Sequence, residues 1–185
     1  MRVLTLIFIL LLLNSCGDNY SVKPIGQLRL EYPDPVYVSF DSDCPFSFEY
    51  SNLSFEKKKE KDCWFTLNYP DMKANIYLTY FKIDGPEDLA TKIKDSEKLV
   101  QEQTVKASYI SPRIFEFDEH SVYGTLFELG GDSAINLQFH ATDSLQNLLT
   151  ASVYFSAPPK YDSLQPAVQY LKKDVIHLIE SLRWK

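Results

Sequence analysis

Apolar and polar residues begin to alternate at Val36. Val36, Val38 and Phe40 alternate with Tyr37 and Ser39, and Phe46, Phe48 and Tyr50 alternate with Ser47 and Glu49. Trp64 to Asn68 and Asn75 to Phe81 carry the same period of two, which is that of strands with one buried face. Pro70-Asp71 marks a turn between them. The period then lengthens. Asp84 and Glu87 have capping-box spacing and Pro86 suits a first helical turn. Leu89, Ile93 and Val100, with Ser96 between them, recur at helical spacing, while Lys92, Lys94, Asp95, Glu97, Lys98 and Glu102 face away. This helix is expected to end between Val105 and Ala107.

A meander is predicted next. Ile114 to Phe117 and Val122 to Leu129 form a hairpin about the turn Asp118-Glu119-His120-Ser121. Gly130-Gly131-Asp132 leads into Ala134 to Thr142, and Asp143-Ser144 into Leu148 to Phe155. Such short connections make neighbouring strands antiparallel. Pro158-Pro159 ends the series. A last helix, capped by Asp162 or Ser163, carries Leu164, Val168, Leu171, Val175, Leu178 and Leu182 as one apolar stripe. The pattern predicts an α+β fold, an antiparallel sheet of about six or seven strands covered by two helices. It suggests a PsbP-like sandwich, an analogy of fold that implies no function.

The chain ahead of Val36 reads differently. Arg2 is followed by the apolar run Val3 to Leu13, broken only by Thr5, and then by Leu13-Asn14-Ser15-Cys16. A membrane-spanning helix needs about 20 apolar residues. The shorter run with a small residue before Cys16 has the proportions of a bacterial lipoprotein signal. Residues 1–15 are then a signal peptide, Cys16 carries the lipid, and residues 16–35, with Pro24, Gly26, Pro33 and Pro35, form a tether. Leu28-Arg29-Leu30 within this tether is read as a short edge strand, and residues 36–185 as a single domain. Lipid contributes about 0.8 kcal/mol per buried methylene, so two or more chains anchor firmly. Gly17 and Asp18 follow the cysteine, so the common retention residue is absent from the adjacent position; this favours the outer membrane over the inner.

Charge supports a covalent rather than electrostatic attachment. The chain has 19 Lys+Arg against 25 Asp+Glu, and loss of Arg2 with the signal leaves a formal charge of −7. An acidic surface argues against nucleic acid and against anionic headgroups as partners. Past Cys16, the chain holds Cys44 and Cys63, an even pair for an oxidising compartment. A bridge between them is predicted at the feet of a hairpin whose loop includes Glu56-Lys57-Lys58-Lys59-Glu60-Lys61. The alternative is two free thiols. The run Lys57, Lys58 and Lys59 is read either as an ordinary solvated loop or as a contact for an acidic partner.

Motifs that carry chemistry are missing. The chain has no Gly-x-Ser-x-Gly elbow, phosphate loop, dinucleotide fingerprint or His-Glu-x-x-His. His120, His140 and His177 are scattered. His177 precedes Glu180 by one helical turn, a spacing that serves an acid–base dyad but is far more often a solvated ion pair. Glu116, Asp118, Glu119 and Glu128 make an acidic hairpin that matches no calcium-loop signature. No cofactor and no metal are expected.

Several segments taken together carry a resemblance. They are the cysteine of the lipobox, Lys23 to Pro33, Cys44-Pro45-Phe46-Ser47-Phe48-Glu49-Tyr50, Cys63-Trp64 and Ile76-Tyr77-Leu78-Thr79-Tyr80. Val122-Tyr123-Gly124, Gln138 to Ser144 and His177 to Lys185 complete the set. In this order they resemble the gliding motility lipoprotein GldD family of the Bacteroidetes, over essentially the whole mature chain. The resemblance implies a role in gliding motility and in the linked type IX secretion machinery. It supplies no catalytic residue. What it implies is a non-enzymatic component that supports assembly or stability beside other envelope proteins, facing the periplasm. The alternative class is a periplasmic module that binds a small ligand or peptidoglycan, which requires an apolar pocket with converging polar groups.

Overall fold

The computed structural model describes residues 30–40, 42–58, 63–156 and 161–185. Three short strands come first: β1 (Tyr37–Ser39), β2 (Phe46–Ser47) and β3 (Glu49–Ser51). β4 (Phe55–Lys58), β5 (Trp64–Tyr69) and β6 (Ala74–Lys82) lead to helix α1 (Pro86–Gln101). β7 (Ala107–Phe117), β8 (Val122–Gly131), β9 (Ile135–Thr142) and β10 (Asn147–Phe155) form the meander. Helix α2 (Tyr161–Ser181) and β11 (Arg183–Trp184) close the chain.

The main sheet has seven strands in the order β4-β5-β6-β10-β9-β8-β7, every neighbouring pair antiparallel. This is the α+β arrangement that the alternation predicts. Two small ribbons, β1 with β3 and β2 with β11, stand apart from it.

The two faces of the sheet differ because the strands alternate. Phe65, Leu67, Ile76, Leu78, Phe139, Ala151 and Val153 are buried on one face in a single core with Val168, Leu171, Val175 and Leu178 of α2. Each Val, Leu, Ile or Phe among them contributes about 1.5–3 kcal/mol on burial. α1 lies on the other face, where the Gln138 amide donates to the Ser96 carbonyl at 2.6 Å. All eight residues of β9 are buried because a helix covers it on each side.

Phe40, Phe46, Phe48 and Phe65 extend the core beneath the ribbons, with Phe40 stacked on Phe48 at 4.5 Å and edge-on to Phe65 at 4.6 Å. Such pairs contribute about 0.5–1.5 kcal/mol each beyond their burial. The Cys44–Cys63 disulfide ties the segment ahead of β2 to the start of β5.

The structure corrects several local expectations. Val36 and Val38 do not face the core: Val36 is 60% exposed, and the inward residue of β1 is Tyr37. β1 pairs with β3 rather than with the main sheet, so its packed face is the one that meets α2. Glu56 to Lys58 do not lie in a loop but in β4, the outer strand, in register with Leu67 to Phe65. Charged residues, lysine above all, suit an edge strand because they discourage further pairing.

β7 begins at Ala107 and not at Ile114. It is the opposite edge and mostly exposed, so it lacks the alternation of a half-buried strand and tolerates Pro112. α1 starts after Gly85 at φ 87° with no side-chain cap, and the Asp84 N–H is held by Asp88 at 3.1 Å in place of a capping box. α2 starts at Tyr161, which puts Asp162 and Ser163 inside its first turn rather than at its cap. Leu28 and Arg29, expected in a short edge strand with Leu30, lie outside the described residues; Leu30 itself is not in a strand.

Candidate functional site

The β1–β3 ribbon is fastened to α2 by a polar network. Asp174 and His177 are one turn apart and share a face of the helix. Tyr37 donates its hydroxyl to Asp174 Oδ1 at 2.9 Å, and Tyr69 donates to Oδ2 at 3.0 Å. Asp174 is only 3% exposed. Burial pushes its carboxyl above the usual range, and the two hydroxyl donors offset part of that rise. The same burial, with the carboxylate close by, holds both tyrosine hydroxyls far above their ordinary value. The Tyr37 ring stacks on His177 at 3.5 Å, and His177 Nε2 lies 2.8 Å from Glu49 Oε2. Ser181 accepts the Glu49 N–H at 2.9 Å and donates to the Leu178 carbonyl at 3.2 Å.

An open cleft of about 430 Å³ lies beside this network, bordered by Ser47, Glu49, His177, Glu180 and Arg183. Its His177 and Glu49 are turned to one another. His177 pairs with Glu49 across to the ribbon and not with Glu180, so the dyad that the spacing allows is not formed. Arg183 donates to the Glu180 and Leu182 carbonyls at the end of α2. A general base needs an acceptor aimed at a reacting group. Here the imidazole is sandwiched between a ring and a carboxylate, and the arrangement works as a clamp.

The second feature is the face of β5, β6 and β10 on the α1 side of the sheet, where Lys57 of β4 shares the row of Thr66. Among the described residues α1 packs on β9, and its Lys92 reaches over the Phe81 ring of β6. On that side Trp64, Thr79 and Thr150 stand in one row across the strands, and Thr66, Tyr77 and Ser152 in the next. Asn68, Asn75 and Tyr154 form a third. Trp64 and Tyr77 are each 38% exposed. Where α1 meets this face a groove of about 280 Å³ opens, with Lys92, Asp95 and Leu99 on its wall and Gln138, Thr150 and Ser152 on its floor.

The residues singled out in the sequence fall in separate places. Cys16 and Lys59 lie outside the described residues. Cys44 and Cys63 are bonded to each other. Lys57 and Lys58 are on the edge strand β4. His120 is in the turn before β8. His140 is 5% exposed on the polar side of β9, where burial pushes its imidazole down to about 4 and keeps it neutral. Glu128 pairs with Lys172 of α2 rather than with the acidic turn. Among the described residues no three His, Cys, Asp or Glu are grouped to hold a metal ion.

Sequence reasoning missed Tyr37, Tyr69, Asp174 and the Trp64–Tyr77 surface. Asp174 had a signal, a carboxylate between Leu171 and Val175 on the buried stripe. The others became neighbours only through strand order.

No helix among the described residues is long and apolar enough to cross a membrane. Comparison with curated proteins gives no match. A match over residues 17–184 to the family model of the gliding motility lipoprotein GldD takes in every described residue but Lys185, and the chain therefore belongs to that family of gliding-motility lipoproteins.

Proposed function

We propose that this lipoprotein is a non-enzymatic assembly or stabilising component of the gliding apparatus and of the type IX secretion machinery linked to it. Cys16 carries the lipid, and the domain faces the periplasm, from the outer membrane rather than the inner. Its partners are other envelope proteins of that machinery. Anchoring confines the domain to a thin layer and raises its effective concentration beside anchored partners, so weak contacts suffice.

Family membership across residues 17–184 carries this reading. The clamp geometry supports the non-enzymatic part, because the Tyr37, Asp174, His177 and Glu49 groups engage one another. The lysines at 57, 58 and 59 are the second contact candidate, on and beyond an edge strand.

The test is chromosomal Cys16→Ala. The expected result is a precursor that takes up no lipid label, leaves the membrane fraction, and supports neither gliding nor secretion. Normal labelling, or full motility and secretion from the unlipidated variant, would overturn the reading.

A further inference from the structure

We infer that the outer edge of β7 is a self-association surface, and that its occupant is a second copy of this chain, paired antiparallel about a two-fold axis at Ile114. This goes beyond the assembly role and does not depend on it.

The first argument is the backbone. β7 closes one end of the main sheet, and among the described residues it pairs with β8 alone. It runs for 11 residues, about twice the common strand length. Pro112 has no N–H to give to β8, which puts its backbone on the outer side of the strand, with those of Ile110, Ile114 and Glu116. Edges that avoid pairing are short or carry charge and proline. Pro112 removes one outward donor, and Ile114 and Glu116 keep both of their backbone groups. Ile114 is 73% exposed, a large apolar side chain in the middle of an edge.

The second argument is charge. On the α2 side of this edge is a shallow groove bordered by Arg113, Phe115 and Phe117 of β7 and by Ile176, Ile179 and Glu180 of α2. The end of α2 is fixed at this level, where the Trp184 indole donates to the Ser121 carbonyl at 2.9 Å. At about 40 Å³ the groove has room for the end of one side chain and not for a drug-sized ligand, whose sites take roughly 300–1,000 Å³. Neither the Arg113 guanidinium nor the Glu180 carboxylate forms a hydrogen bond or an ion pair among the described residues. An acidic strand laid here would be repelled by Glu116 and Glu180, and a basic one by Arg113. A strand that carries both signs in reverse order fits, and antiparallel pairing of β7 with itself supplies one.

The register follows from these two features. Centred on Ile114, the pairing sets that side chain against its own copy and covers both. The Glu116 N–H meets the Pro112 carbonyl of the second copy, so the missing proline donor costs one bond on each side of the axis. Arg113 stands opposite Phe115 of the second copy and diagonal to its Phe117. Its guanidinium then lies over those rings and reaches toward Glu180 of that copy.

The experiment places Ile114→Cys in the full-length lipidated protein, in detergent micelles kept in large excess over protein. Cys44 and Cys63 are bonded to each other, which leaves the added thiol to react. In this register two such residues face each other with Cα atoms about 5.5 Å apart, within disulfide range. Mild oxidation with diamide should give a dimer that reductant splits, and Lys94→Cys, at an exposed position of α1, should give none. Arg113→Glu puts like charges in the groove and should weaken self-association, read by sedimentation equilibrium, on the order of tenfold. Adding Glu180→Arg should restore it to within about threefold. The proposal is overturned by no dimer from Ile114→Cys, by equal crosslinking from Lys94→Cys, or by self-association that Arg113→Glu leaves unchanged with wild-type circular dichroism.

Discussion

Asp174 offers the sharpest check on how the domain is held together. It is a buried carboxyl whose two oxygens each accept from a tyrosine hydroxyl on a different strand. Asp174→Ala removes both acceptors. The Tyr69 hydroxyl is at a residue 1% exposed and loses its partner, a penalty of about 1–3 kcal/mol. Tyr37 is half-buried, so its hydroxyl can turn to water at little cost. Relief from burying a charge offsets part of the loss. A net destabilisation of about 2 kcal/mol is expected, a fall in Tm of roughly 4–8 °C for a domain of this size. Asp174→Asn keeps an acceptor and the shape, and should stay within about 1 kcal/mol at neutral pH.

The pH dependence separates the two variants further. Burial raises the Asp174 carboxyl above its unfolded value of about 3.9, so the folded state holds its proton longer than the unfolded state does. Stability from this group is therefore full below about pH 3.9 and is lost as pH rises through the raised folded value. His140 has the opposite slope. Its folded value is lowered to about 4 from 6.5, so its contribution is present above pH 6.5 and lost as pH falls toward 4. Comparing Asp174→Asn with the wild type cancels the histidine, which both proteins share. Melts followed by circular dichroism from pH 4 to 7 at constant ionic strength should show the Asn variant gaining on the wild type as pH rises. A difference that stays flat, or that shrinks, would mean that the two tyrosines outweigh desolvation, and would refute the account.

Two further perturbations test the scaffold. Reducing the Cys44–Cys63 bond, or replacing both cysteines by Ser, releases a loop with a separation of 19 residues and should cost about 3 kcal/mol; a melt with and without reductant that differs by less than about 2 °C would contradict this. Gly124→Ala should cost about 3 kcal/mol or abolish folding, since the added carbon would lie 1.9 Å from the His140 carbonyl oxygen and 2.7 Å from the Phe115 ring; an unchanged denaturation midpoint would contradict the close pairing of β8 with β9.

What could be read from the chain depended on how strongly burial constrains each element. The α2 stripe from Val168 to Leu182 was legible because a helix packed on one side must repeat its apolar residues at one spacing. The central strands were legible for the same reason at period two. β7 was not, because an edge strand exposed on both faces has no such constraint, and Ser108, Ser111, Pro112 and Arg113 are as compatible with a loop as with a strand. β1 showed the period but not its phase: alternation marks which residues share a face, and only the partner decides which face is buried. Tyr37 faces α2, so Val36 and Val38 are left outside.

The face of β5, β6 and β10 on the α1 side shows the same limit at longer range. Each strand there looks like any half-buried strand, and a threonine or tyrosine at an outward position is unremarkable alone. Its rows become visible only when β10 is inserted between β6 and β9, which sets Thr150 beside Thr79 and Ser152 beside Tyr77 across more than 70 residues of sequence. Nothing in local propensity requires that order. It follows from the crossover of α1, which carries the chain from β6 to the far edge and leaves the place beside β6 to be filled by the last strand of the meander. The same crossover lays α1 over β9, with Lys92 reaching the Phe81 ring of β6. The connection that hides the strand order from the sequence thus also builds the wall of the groove beside Thr150 and Ser152.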